Sequence, residues 1–245
     1  MPEVVVLVLA ATGTAVATGL GAVPVFLLGR RAHGLAGPLL GFAAAAMTVA
    51  AFTGLLIPAA EDGSALAIVA GFLVGVAFVL VARALLPPDH GFLGRSGPDA
   101  SASALVFLVL FVHSLPEGFA VGSAFASDRA GLSLFVILAI AIQNVPEGTS
   151  VALPMEEAGF GAWRQFWVAT ATSLPQPVGA VIAWLAVESI SGLLPLSFAF
   201  AAGAMLTIVV IEMVPRALAG GRGGALLGAL AGAATMVALS LALGV

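Results

Sequence analysis

The chain has 245 residues, of which 61% are hydrophobic and 8% are charged, with a formal net charge of −4 and no cysteine. Soluble domains carry about 25% charged residues, so this composition and a mean hydropathy of +1.19 exclude an ordinary globular domain. All eight basic residues are arginines without an extended basic run, so we expect no nucleic-acid partner. The absence of cysteine excludes disulfides and thiolate ligands.

A membrane-spanning helix needs about 20 predominantly apolar residues, and eight segments of the chain meet this requirement. We therefore predict an all-α polytopic membrane protein that forms one transmembrane domain over residues 1–245. No basic region and cleavage site mark a signal peptide at the start, so we expect the first span, from Val4 onward, to be retained. The predicted spans are 4–28, 36–59, 64–86, 103–127, 131–155, 163–187, 193–215 and 223–244.

The arginines predict the orientation of these spans. Seven of the eight lie at one membrane face, in or beside alternate connections, and only Arg129 lies at the other. The positive-inside rule makes the arginine-rich face cytoplasmic, so both termini are expected outside. The longest connection, about 87–101, is rich in Pro, Gly and Ser, and it is predicted to be a flexible cytoplasmic linker.

Two similar polar hexads interrupt the fourth and fifth spans near their middles. HSLPEG begins at His113, and QNVPEG begins at Gln143. Ionisable residues at membrane depth are costly and are functional-site candidates by default. In each hexad a glutamate, Glu117 or Glu147, follows the first residue by four positions and therefore shares its helix face. Antiparallel packing of the two spans is predicted to bring all four side chains together near the bilayer centre.

The donor set of the hexads favours a divalent transition metal. One imidazole, two carboxylates and an amide oxygen suit zinc foremost, with iron, manganese or cadmium as alternatives. Pro116 and Pro146 lack an N–H donor, so each helix is expected to kink or loosen beside the ligands. Two carboxylates balance one divalent ion, and without the ion they repel, so that one tends to hold a proton. Metal binding is then expected to release protons.

Two further polar residues inside the spans leave alternatives open. Gln176, between two prolines in the sixth span, is either a further ligand or a hydrogen bond between helices. Glu212, near the cytoplasmic end of the seventh span, is either an ion-pair partner of Arg216 one turn later or a carboxylate on an exit path. Each hexad residue taken singly also has an ordinary interpretation, a hydrogen-bonded structural histidine or a glutamate that relays protons.

The hexads resemble the signature of the Zrt/Irt-like protein (ZIP) family of divalent metal transporters, with similarity to its compact bacterial members. That resemblance implies eight helices in a 3+2+3 arrangement, with an inverted repeat around helices four and five. It further implies elevator-like alternating access, a homodimer in the inner membrane, and metal as transported substrate rather than prosthetic group. The residues that match the family's primary metal site are His113, Glu117, Gln143 and Glu147, and Asn144 matches a ligand of an adjacent second site.

The chain departs from the family pattern at two positions. Ser114 stands where the family has asparagine, and Gln176 stands where the sixth helix usually carries glutamate. Both changes weaken the second site, so that Ser114, Asn144 and Gln176 are weak or secondary ligands. With Glu117 and Glu147 as the only anions, a second divalent ion would leave about two uncompensated charges in a low dielectric. We therefore predict one tightly held ion.

Three functions compete at this point. The first is a divalent metal transporter that moves ions toward the cytoplasm. The second is an intramembrane metal-dependent hydrolase, because a His/Glu site can activate water, although no H-E-x-x-H helix is present. The third is a proton-coupled transporter of a small solute, in which the glutamates bind only protons.

Overall fold

A computed structural model describes residues 3–85, 100–127, 129, 131–157 and 159–245, with the backbone alone at residue 30 and residues 100–111. The described residues are almost entirely helical. The predicted linker, except its last two residues, and His90 within it lie outside the described residues. The helices, in chain order, are α1 (Glu3–Leu28), α2 (Arg31–Asp62), α3 (Ala65–Leu85), α4 (Ala100–Phe125), α5 (Leu132–Glu157), α6 (Ala162–Ser189), α7 (Leu194–Ala219) and α8 (Arg222–Leu243).

Seven of these helices are candidate membrane spans by length and composition: α1, α2, α3, α5, α6, α7 and α8. The hydrophobic runs of the sequence therefore placed them correctly. The largest difference at an end is five residues, at the start of α2, which begins at Arg31 rather than at residue 36. The first hexad lies on α4, which is 26 residues long.

Four helices depart from regular α geometry. Helix α1 is broken at Gly21, and α6 is broken between Thr172 and Pro175. The other two, α2 and α7, contain π-helical turns at Phe52–Leu56 and Val209–Met213. Each π turn stands just before a proline, Pro58 or Pro215, whose missing N–H prevents the preceding turn from closing as an α-helix.

The two hexad helices remain α-helical through their prolines. Pro116 lies inside α4 and Pro146 inside α5, and neither helix is interrupted there. The loosening predicted beside the hexads therefore does not interrupt α4 or α5, and the breaks and π turns lie in the surrounding helices. Neighbouring helices tolerate a proline in a lipid-embedded helix when they satisfy the freed backbone groups.

Close helix pairs surround α4 and α5. The most extensive contacts join α2 to α8, α3 to α7, α4 to α6 and α1 to α5. The glycine of each hexad makes one of these approaches possible. A Cβ built on Gly118 would lie 2.2 Å from the carbonyl oxygen of Gln176 in α6, and one on Gly148 would lie 1.7 Å from that of Thr18 in α1. Small residues allow such backbone contacts between membrane helices.

Ion pairs at the two ends of the bundle identify which connections share a face. At one end, both ring nitrogens of His33, before the α-helical part of α2, lie beside carboxylates at the end of α5, 3.2 Å from Glu156 and 3.3 Å from Glu157. At the other end, Arg129 pairs with Glu61 and Asp62 at the end of α2. Hydrogen bonds to Asp62 and then Glu61 raise the pKa of Arg129 above its ordinary value.

Candidate metal-binding site

Glu117 lies at the centre of a buried polar cluster between α4, α5 and α6. Its carboxylate is 1% exposed. The amide nitrogen of Gln143 donates to Glu117 Oε1 at 3.0 Å, and the amide nitrogen of Gln176 donates to Glu117 Oε2. Both carboxylate oxygens are therefore held by neutral donors from two different helices, and such charge-assisted bonds are the stronger kind.

A second ring of contacts fixes Gln176. The Thr14 hydroxyl lies 2.6 Å from Gln176 Oε1 and 2.7 Å from the carbonyl oxygen of Ala11, so it donates to one of the two. The amide nitrogen of Asn144 donates to the Thr14 carbonyl at 2.9 Å and lies 3.3 Å from Gln176 Oε1. The hydrogen bond between helices, one of the two alternatives for Gln176, is therefore present.

Thr14 was not among the candidate residues that the sequence predicted, and its part in this cluster was missed. A polar side chain in the middle of the apolar α1 could have marked Thr14 as a candidate. Its partner Gln176 is 162 positions away in the chain, however, and no local pattern connects the two. Only the packing of α1 against α6 brings the two together.

Ser114 supports α6 rather than the centre of the cluster. Its hydroxyl donates to the carbonyl oxygen of Thr172 at 3.0 Å, the residue directly before the break in α6. The backbone N–H of Gln176 bonds to Ser173 instead, so Ser114 supplies the donor that the broken helix does not.

Two amide oxygens of the cluster have no hydrogen-bond partner among the described residues. Both belong to the second hexad: Gln143 Oε1 and Asn144 Oδ1, on residues that are completely buried. An unsatisfied buried acceptor costs about 1–3 kcal/mol. Buried amide oxygens without a hydrogen-bond donor are free to bind a cation.

Glu147 and His113 connect the cluster to α7. Glu147 is buried, and it lies near enough to Glu117, His113, Glu212 and Arg216 for their charges to act on its carboxylate. His113 Nε2 lies 3.4 Å from Glu212 Oε2, and Arg216 donates to Glu212 Oε1 at 2.8 Å. The predicted pair of Glu212 and Arg216 is therefore present, and the same carboxylate also faces the first hexad.

The donor groups of the buried cluster determine which kind of ion it suits. Within the part of the chain that the structure describes, no three His, Asp or Glu side chains form a group ready to hold a metal ion. The buried donors are instead two carboxylates, one imidazole and unpaired amide oxygens. Carboxylate and amide oxygens with an imidazole favour a divalent ion of the first transition series over a soft monovalent one.

Comparisons with known proteins agree with the hexads. The family model of the ZIP zinc transporters matches residues 96–240. Zinc transporter GufA of Myxococcus xanthus is 37% identical over 217 residues, 84% of this chain and 85% of the relative. Zinc transporter ZIPB of Bordetella bronchiseptica is 34% identical over 84% of this chain and 71% of its own. Zinc transporter ZupT of Corynebacterium efficiens is 32% identical over 93% of this chain and 92% of the relative. The chain belongs to the ZIP family of membrane transporters.

Proposed function

We propose that this protein carries divalent transition-metal ions, zinc foremost, across the bacterial inner membrane toward the cytoplasm. Its family membership and the relatives named zinc transporters support the substrate class. Iron, manganese and cadmium compete for the same site, because nitrogen and oxygen donors do not separate these metals by affinity alone.

The ion is bound by His113, Glu117, Gln143 and Glu147. The observation that carries this assignment is Gln143, whose nitrogen donates to Glu117 while its buried oxygen has no partner among the described residues. A divalent ion supplies that partner. It also cancels the repulsion between the carboxylates of Glu117 and Glu147.

One ion is bound rather than two. The positions of the family's second site hold neutral groups here, and Asn144, Gln176 and Thr14 bond to one another. Ser114 is engaged by α6. A second divalent ion in this cluster would find hydrogen-bonded amides and no carboxylate beyond Glu117 and Glu147, so its charge would be uncompensated in a low dielectric.

The proposed architecture is eight spans, including α4, in a 3+2+3 inverted repeat around α4 and α5. Exchanging α1 with α6, α2 with α7, α3 with α8 and α4 with α5 maps the main helix pairs onto one another, which supports this arrangement. The same exchange relates the two broken helices and the two π turns. Inverted repeats around a midplane site are the basis of alternating access in many transporters, and the elevator-like form is proposed here.

The proposed orientation has the arginine-rich connections in the cytoplasm and both termini outside. The contact of His33 with Glu156 supports placing the first and fifth connections at one face. The pairing of Arg129 with Asp62 supports placing the second and fourth at the other, where it also neutralises the one arginine that breaks the charge rule. The homodimer stays a prediction from the family resemblance.

Zinc uptake into proteoliposomes tests this function. Protein reconstituted around an entrapped zinc-sensitive fluorophore is expected to admit zinc, and Glu117→Ala and Glu147→Ala are expected to abolish uptake. Glu188→Ala, which removes an exposed carboxylate at the far end of α6, is the control and should transport normally. Runs with iron, manganese and cadmium rank the substrates.

Three outcomes would contradict the proposal. Wild-type uptake by both site variants would refute the site. Cleavage of a lipid or peptide without ion flux would favour the hydrolase. Proton-linked solute flux that chelators do not affect would favour the proton-coupled transporter.

A further inference from the structure

The carboxylate of Glu212 has two different partners on its two oxygens. Arg216 donates to Oε1 at 2.8 Å from the next turn of α7, and His113 Nε2 lies 3.4 Å from Oε2. The Glu212 side chain is 12% exposed and that of Arg216 is 40% exposed. Glu212 therefore stands between the buried ion site and a cation that reaches toward the end of the bundle.

The π turn at Val209–Met213 places Glu212 in this position. A π turn inserts one extra residue into a helix, and it shifts the side chains on one side of the insertion relative to those on the other. Glu212 lies within the turn, and Arg216 follows it after Pro215. Helical spacing still leaves the two charges one turn apart, where an acidic and a basic side chain attract one another.

The charges around the site sum to a value that depends on Arg216. Glu147 is within electrostatic range of Glu117 and Glu212, and Arg216 is the one arginine that influences it among the described residues. In the ion-bound state the ligands are deprotonated and His113 is neutral, so three carboxylates and one guanidinium give a charge of −2, which one divalent ion balances. Without the guanidinium the region would carry −3 and would attract a divalent ion more strongly.

We propose that Arg216 is a tethered cation that pairs with Glu212 in place of the transported ion and thereby weakens ion binding enough for release. The proposal rests on the proposed function and names a residue that sets affinity at the same site. A transporter must bind its ion tightly enough to admit it and weakly enough to let it leave. Arg216 weakens ion binding at every physiological pH, because its guanidinium does not lose its proton there. It is a positioning residue, since it acts on the ion through Glu212.

Equilibrium zinc binding, measured by titration calorimetry on the detergent-solubilised full chain, tests this proposal together with uptake. Arg216→Gln is expected to tighten zinc binding by about tenfold and to lower the maximal uptake rate, because release slows. Arg216→Lys keeps the charge and is expected to stay near wild type in both measurements. Arg222→Gln, which removes an exposed arginine at the start of α8, is the matched control and should change neither.

A double variant separates the action on Glu212 from a change in packing. The double variant Glu212→Gln/Arg216→Gln lacks both the third carboxylate and the guanidinium that competes with the ion for it. Zinc affinity is therefore expected to return to near the wild-type value. Thermal unfolding of each variant reports whether it is folded.

The outcomes distinguish this inference from the function on which it rests. If wild-type protein neither binds nor transports zinc, the proposed function fails and the inference fails with it. If wild-type protein does both, and folded Arg216→Gln binds zinc with unchanged or weaker affinity, the inference alone is overturned. Tight binding that persists in the double variant would likewise overturn it, because Arg216 would then act independently of Glu212.

Discussion

Gln176 determines how many charges surround Glu117. Its amide nitrogen donates to one oxygen of the buried carboxylate, and its own oxygen faces the Thr14 hydroxyl at 2.6 Å and the Asn144 amide nitrogen at 3.3 Å. A glutamine can make both contacts at once because it carries a donor and an acceptor, whereas an ionised glutamate only accepts. The amide thus holds Glu117 in place without adding charge at the midplane.

Gln176→Glu is predicted to create a second ion site. The new carboxylate would face Glu117 at the distance of a former hydrogen bond, and the repulsion between two such groups is relieved by a proton or a cation. Zinc per chain, measured by elemental analysis after equilibrium dialysis, should rise from one to two. Gln176→Ala removes the amide without adding charge and should stay at one. A wild-type protein that already holds two ions would refute the account of the neutral cluster.

The hexad helices depend on close backbone contact with the helices outside them. Gly148 touches α1 and Gly118 touches α6, so the positions of both glutamates are set by neighbours that themselves contain breaks. Tight packing of this kind transmits small displacements directly to the site.

Gly148→Ala is predicted to separate α1 from α5, because the added Cβ would lie 1.7 Å from the Thr18 carbonyl oxygen. The thermal unfolding midpoint of the detergent-solubilised protein should fall by several degrees, and zinc affinity should weaken. Gly13→Ala on α1 is the control, since nothing lies within 4 Å of its Cβ, and replacing a helical glycine there stabilises by up to about 1 kcal/mol. Equal effects of the two substitutions would show that the contact with α1 is unimportant.

At the scale of the whole molecule, the direction of transport depends on which end of the bundle faces the cytoplasm. The two groups of ion pairs lie at opposite ends, and the chain alternates between them from helix to helix. In the proposed orientation, which rests on the arginine count, the end with His33 faces the cytoplasm.

The absence of cysteine in the sequence makes this orientation directly testable by labelling single introduced cysteines. Ser191→Cys, between α6 and α7, is predicted to react with a membrane-impermeant maleimide in intact cells. Gly161→Cys, between α5 and α6, should react only after permeabilisation; its position is open, with nothing within 4 Å of an added Cβ. The reverse pattern would invert the proposed direction of transport.

The sequence predicted the positions of the helices better than it predicted the contacts between their side chains. Apolar runs of about 20 residues locate spans because the membrane requires them, and the duplicated proline-glutamate pattern singled out α4 and α5. The bond between Thr14 and Gln176, the second contact of Glu212 and the pairing of Arg129 with Glu61 depend on packing between distant helices. No local pattern encodes these contacts, and hydropathy does not distinguish a π turn from an α turn.

The central claim is that Glu117 and Glu147, from two neighbouring helices, bind one ion between them. Anomalous X-ray scattering at the zinc edge, recorded from crystals of the zinc-loaded protein, tests it most directly. The account predicts one zinc position in the bundle, with carboxylate oxygens of both glutamates at about 2.0–2.2 Å. A zinc ion bound elsewhere, with the two carboxylates separated by apolar side chains, would contradict it.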